Sequence, residues 1–172
     1  MSAIGSSAIQ LSDLAPICVR LPSASVDQLI GVTKILSRAG GTLTPRTLAA
    51  ALEYDDENLA SVVEFLASLG LIELNENEIA LSAVGEQIAS SGIASRRRLF
   101  AERIIHIPIV RKIVDTLAGQ PNRSLPRSKL LEDLGAQACV SDADLIFDHV
   151  ATWGRYAGLF SYDASSGLVT LT

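Results

Sequence analysis

One order of local patterns occurs twice along the sequence and constrains the fold more than any other feature. Helix-period apolar stripes come first, followed by two short apolar runs around a polar tip. In the first pass, Ser25 caps a helix whose inward stripe is Val26, Leu29, Ile30, Thr33 and Leu36, and Gly40-Gly41 ends it. Thr44-Pro45 starts a short helix, with threonine as N-cap and proline at the first helical position. Asp55 or Asp56 caps a third helix, which carries Leu59, Val62, Val63, Leu66 and Leu69 and stops at Gly70. Residues 71–74 and 79–81 flank Asn75-Glu76-Asn77-Glu78 and read as strand, turn, strand. A further helix is expected over residues 82–89.

After Ser90-Ser91-Gly92, the expected boundary, a long helical pattern runs over residues 94–118. Pro108 should break or kink it, because proline lacks an N–H and clashes with the preceding turn. Leu125-Pro126 opens a short helix reaching Leu134. Ser141 or Asp142 caps the next, with Leu145, Ile146, His149, Val150 and Trp153. Residues 159–162 and 168–171 flank a second tip, 163–167. The expected fold class is therefore mainly α (α+β): two tandem winged-helix-like modules, each three helices plus a β-hairpin. The expected division is an arm or linker at 1–24, a first module at 25–92 and a second at 93–172.

The chemistry of enzymes is missing. There is no G-x-x-x-x-G-K-[ST] phosphate loop and no glycine-rich strand-to-helix turn. The two histidines, His106 and His149, do not stand at metal-ligand spacing with Cys18 or Cys139, and no nucleophile, base and orienting group can be assembled. The expectation is no enzymatic activity, no metal and no cofactor. The cysteines form neither a CxxC pair nor a disulfide framework and read as reduced thiols. No signal peptide or membrane-spanning run is evident, so a cytoplasmic location without membrane insertion is expected.

Charge bears on partners. The net charge is −5. Residues 1–93 hold four basic and eleven acidic side chains, and residues 94–172 hold ten basic and eight acidic. The third helix of the first module contains no basic residue and the wing tip holds Glu76 and Glu78, so phosphates would be repelled and nucleic acid is disfavoured as a partner. Arg96-Arg97-Arg98 is the strongest charge run. It reads either as a solvated first turn or as a contact for an acidic surface. Residues 104–110 read as a helix apolar on nearly every side, which implies cover from a neighbouring module or a second chain. Arg96, Arg97, Arg98, Ile105 and Ile109 are thus the candidate interaction surface, and a homodimer is expected.

Several stretches resemble a known family: Ser25-Val26-Asp27-Gln28-Leu29-Ile30-Gly31, Arg97-Arg98-Leu99-Phe100, Ile107-Pro108-Ile109-Val110-Arg111, and the run from Trp153-Gly154-Arg155-Tyr156 through Phe160-Ser161-Tyr162-Asp163. They are similar to the AAA-associated C-terminal domain, which follows the ATP-binding cassette in some ATPase subunits of nitrate/sulfonate/bicarbonate-type ABC transporters. The resemblance covers residues 21–172 and brings no catalytic set. It implies a regulatory role, with a transporter ATPase or permease as partner. Trp153, Gly154, Arg155, Tyr156, Phe160 and Tyr162 form its signature and read as structural, the core where helix meets wing, with a platform for a ligand or partner as the alternative. The departure is that no ATPase cassette precedes the domain, so the chain reads as a stand-alone member or an excised piece. The rival classes are a winged-helix transcription regulator and a small-molecule sensor.

Overall fold

The structure, a computed structural model, describes residues 21–135 and 143–172. A first group comprises α1 (Val26–Arg38), β1 (Thr42–Leu43), α2 (Pro45–Leu52), α3 (Asp56–Ser68), β2 (Ile72–Leu74) and β3 (Ile79–Leu81). Two helices follow, α4 (Ala83–Ser90) and α5 (Ile93–Ile104). The second group comprises α6 (Pro108–Ala118), β4 (Ser124–Pro126), α7 (Arg127–Gly135), α8 (Ala143–Ala157), β5 (Phe160–Asp163) and β6 (Leu168–Leu171). Both groups run helix, strand, helix, helix, strand, strand. Each sheet is antiparallel with its last strand in the middle, in the orders β1-β3-β2 and β4-β6-β5. The described chain is mainly helical with two small three-stranded sheets.

Local chemistry sets the helix starts. Ser25 accepts from the Gln28 N–H at 3.2 Å while Gln28 Oε1 accepts from the Ser25 N–H at 2.8 Å, a reciprocal capping box. Thr44, Asp55 and Ser82 cap α2, α3 and α4 in the same way, each accepting from the N–H three residues on. A cap of this kind stabilises by about 1 kcal/mol. The expected cap of α8 at Ser141 or Asp142, and both cysteines, lie outside the described residues.

Three expectations are corrected, and the choice between a break and a kink at Pro108 falls to a break. Each sheet has a third strand that the two-strand hairpin reading lacks: Thr42 and Leu43 pair with Ala80 and Ile79, and Ser124 to Pro126 pair with Thr170 to Leu168. Pro126 therefore ends an edge strand, where a missing N–H costs nothing, and α7 begins one residue later. The pattern over 94–118 is two helices. Ile107, held extended (φ −69°, ψ 122°) by the proline after it, is the N-cap of α6, and Pro108 is its first residue. The break also removes the helix apolar on all sides. Ile104, Ile107 and Val110 are buried, Ile105 and Ile109 are half-buried against this chain's own core, and His106 and Pro108 are exposed.

A single cluster of buried side chains runs through both groups, from Leu29, Leu36 and Leu66 to Val110, Phe147 and Val169. At α1 all five stripe residues are buried, joined by Val32. Among the described residues no helix is long and apolar enough to cross a membrane.

Candidate interaction site

The signature residues on α8 and β5 join the two groups of elements. Trp153 is fully buried and stacks on Phe65 of α3, with ring centroids 4.8 Å apart. Its indole N–H donates to the carbonyl of Ala24 at 3.0 Å, a residue just before α1. Beside it, His149 Nε2 and the Ser23 hydroxyl stand 3.0 Å apart. One aromatic residue thus ties the entry to α1, the middle of α3 and the last turns of α8. Gly154 exists for the next contact: a Cβ there would fall 2.6 Å from Cε1 and Cε2 of the buried Phe160 ring. Tyr156 meets Phe100 of α5 edge-on at 5.5 Å, and Tyr162 meets Phe147 of α8 edge-on at 5.5 Å. Arg155 is exposed in the last turn of α8. Five of the six signature residues therefore serve packing.

The arginine run divides. Arg96 turns back, donating from Nε to the Ile88 carbonyl at 3.0 Å and from Nη2 to the Ser91 carbonyl at 2.7 Å, which closes the C-terminal end of α4. Arg97 donates to the Tyr156 carbonyl at 2.8 Å and lies over the Tyr156 ring, binding α5 to the end of α8. Arg98 reaches only Glu102, at 3.9 Å with both side chains exposed, which contributes little. Arg96 and Arg97 are hence engaged within the chain, although Arg97 stays exposed, and Arg98 meets only Glu102. Ile105 and Ile109 sit apart from them, around the start of α6.

Two features escaped the sequence reading. Arg127 opens α7 under the Phe147 and Tyr162 rings, at 5.1 and 5.8 Å, and its Nη2 reaches Asp144 and Asp148 of α8 at 3.0 and 3.2 Å. The acids at 144 and 148, one helical turn apart, were the available signal. The second feature is a groove of about 390 Å³ between α3 and the β2–β3 hairpin. Leu59, Ala60, Val63, Leu74 and Ile79 form its apolar wall, and Asp56 and Glu64 stand on its rim. Leu74 is 49% exposed although it lies on a strand of the sheet. Another depression, of about 460 Å³, lies at the joint and is lined by Ser23, Gln28, Tyr54, Glu57, Asn58 and Leu145 among others.

No group of three or more His, Cys, Asp or Glu among the described residues is arranged to hold a metal ion. Among the described residues, the one carboxylate held clearly below its ordinary value of 3.8 is Asp163, at the tip between β5 and β6. The Ser165 hydroxyl, the Ser165 N–H and the Ser166 hydroxyl donate to it.

No curated protein and no solved structure matches the sequence. Residues 46–163 match the family described as the C-terminal AAA-associated domain, a span from the start of α2 to the last residue of β5 that covers about two thirds of the chain. It takes in Trp153, Gly154, Tyr156, Phe160 and Phe65, the residues that lock the two groups together. With that match over most of its length, the chain belongs to the C-terminal AAA-associated domain family.

Proposed function

We propose that the chain is a non-catalytic regulatory and interaction module, the cytoplasmic accessory domain of an ABC transporter ATPase of the nitrate/sulfonate/bicarbonate type. Its two units, 25–92 and 93–172, are winged-helix modules that meet near residues 90–95. Family membership carries this reading. The repeated helix-strand-helix-helix-strand-strand order supports the winged-helix assignment, and a fold used elsewhere on DNA serves as readily for protein contact. The acidic α3 supports protein over DNA as the partner. The test is the ATPase rate of a transporter's ATP-binding subunit with and without the chain, beside co-elution of the two. A changed rate and a stable complex are expected. Tight, salt-dependent binding to genomic DNA fragments, or no effect on rate and no complex, overturns the reading.

Self-association belongs to the same proposal, through the half-exposed flanks of Ile105 and Ile109. Light scattering at micromolar concentration should show a dimer that Ile105→Glu or Ile109→Glu dissociates, and a monomer unaffected by both ends this part. A small-molecule sensor is the second reading, favoured by the depression at the joint. Glu57 in its wall favours neutral or cationic ligands over anions. A thermal-shift screen separates the cases, because a ligand of the folded state raises the melting temperature.

A further inference from the structure

We infer that the groove between α3 and the β2–β3 hairpin is a docking site for a basic amphipathic helix of a partner protein. This names the surface used in the interaction reading above and rests on that reading. The groove has an apolar floor from Leu59, Val63 and Ile79, an exposed apolar wall from Leu74, and Ala60 exposed between them. A helix side chain as large as leucine at position 60 would fill the cleft; alanine leaves it open. A floor of this kind accepts the apolar face of a helix, read as anchors at i, i+3 or i+4 and i+7.

Charge selects the partner. Asp56 and Glu64 on α3 line the groove, and Glu76 and Glu78 are exposed on the hairpin tip next to the groove residue Asn75. Arg46, next to the groove residue Pro45, is the one cation that α2, α3 and the hairpin contribute. This face repels phosphate and concentrates lysine and arginine. A nucleic acid would meet the acids with its backbone, whereas a helix with a leucine stripe and basic flanks satisfies both floor and rim. The chain's own basic helix, α5, is not the occupant in a second copy, because its apolar residues Phe100 and Ile104 are buried in its own core.

The probes are a synthetic amphipathic peptide with leucines at i, i+3, i+4 and i+7 and lysines elsewhere, the same peptide with glutamates for lysines, and a short DNA duplex. Each is titrated into the isotope-labelled full chain, and amide shifts are followed by NMR. The lysine peptide should move the amides of α3 and the β2–β3 hairpin, and bind at least about tenfold more tightly than the glutamate peptide. Ala60→Arg, which closes an exposed position, and Glu64→Lys should each weaken it by about tenfold with the melting temperature kept. Leu74→Ser is the second groove variant should Ala60→Arg unfold. Shifts spread over the whole acidic surface, equal binding of the two peptides, or DNA binding on the same amides overturns the inference. If the peptide fails while the chain still changes the transporter ATPase rate, the groove falls and the functional reading stands. If the peptide docks as described and the ATPase is indifferent, the reverse holds.

Discussion

Replacing Gly154 by alanine tests the joint most directly. The new Cβ would lie 2.6 Å from two carbons of the Phe160 ring, far inside van der Waals contact. Phe160 is fully buried, so the ring cannot swing into solvent and β5 or α8 must move. Overpacking of this kind costs about 1–3 kcal/mol, and a clash against a rigid buried ring belongs at the upper end. Alanine inside a helix returns about 1 kcal/mol relative to glycine. The net is a destabilisation of about 2 kcal/mol, or roughly 4–8 °C in melting temperature for a chain of this size. Gly31, within α1, is the internal control. A Cβ there meets nothing within 4 Å, so Gly31→Ala should stabilise by about 0.4–1 kcal/mol. The assay is thermal and urea unfolding followed by circular dichroism. Phe160→Leu should cost less in the Gly154→Ala background than in the native one, a coupling of about 1–2 kcal/mol. An unchanged or raised melting temperature for Gly154→Ala, or equal shifts for the two glycine variants, refutes the reasoning.

Trp153→Phe removes the donor to Ala24 and leaves that buried carbonyl unpaired, so the urea midpoint should fall by the equivalent of about 1–3 kcal/mol. Trp153 is also the only tryptophan, and its fluorescence should unfold in one transition coincident with circular dichroism, because a single core cluster spans both groups. Arg96→Ala should cost about 1–2 kcal/mol through the freed α4 carbonyls, while Arg98→Ala should stay within about 0.5 kcal/mol in the same unfolding assay. Asp163 has a folded-state pKa below its ordinary 3.8, so its contribution is present above that value and is lost as pH falls through the folded pKa. The melting-temperature gap between the native chain and Asp163→Ala should therefore hold at neutral pH and narrow in acid.

Helix starts were legible because their chemistry is local. Ser25, Thr44 and Asp55 each act on an N–H three residues ahead, a distance any reader of the sequence can span. Strands β1 and β4 were not legible. Two or three residues carry no period, and what makes Thr42–Leu43 a strand is β3, some 37 residues further on. Pro108 was recognised as an interruption, but only the extended Ile107 decides between a kinked helix and two helices. Trp153 stood out in the sequence as one of few aromatics, while its partners Phe65 and Ala24 lie far off in sequence and could not be named from it.

Charge behaves in the opposite way to packing. Three consecutive arginines look like one patch in a sequence, yet successive residues of an α-helix point about 100° apart. Arg96, Arg97 and Arg98 must therefore face three directions, and they end on α4, on α8 and in solvent. Asp56 and Glu64 are two turns apart on α3, and Glu73, Glu76 and Glu78 come from the strand and tip beyond it. They are spread over residues 56–78, and folding sets the hairpin against α3 so that Asp56 and Glu64 line one groove beside the tip that carries Glu76 and Glu78. A contiguous charge run is dispersed by a helix, and dispersed charges are collected by a sheet packed on a helix. The docking surface proposed above is accordingly the groove beside Leu74, with Asp56 and Glu64 on its rim.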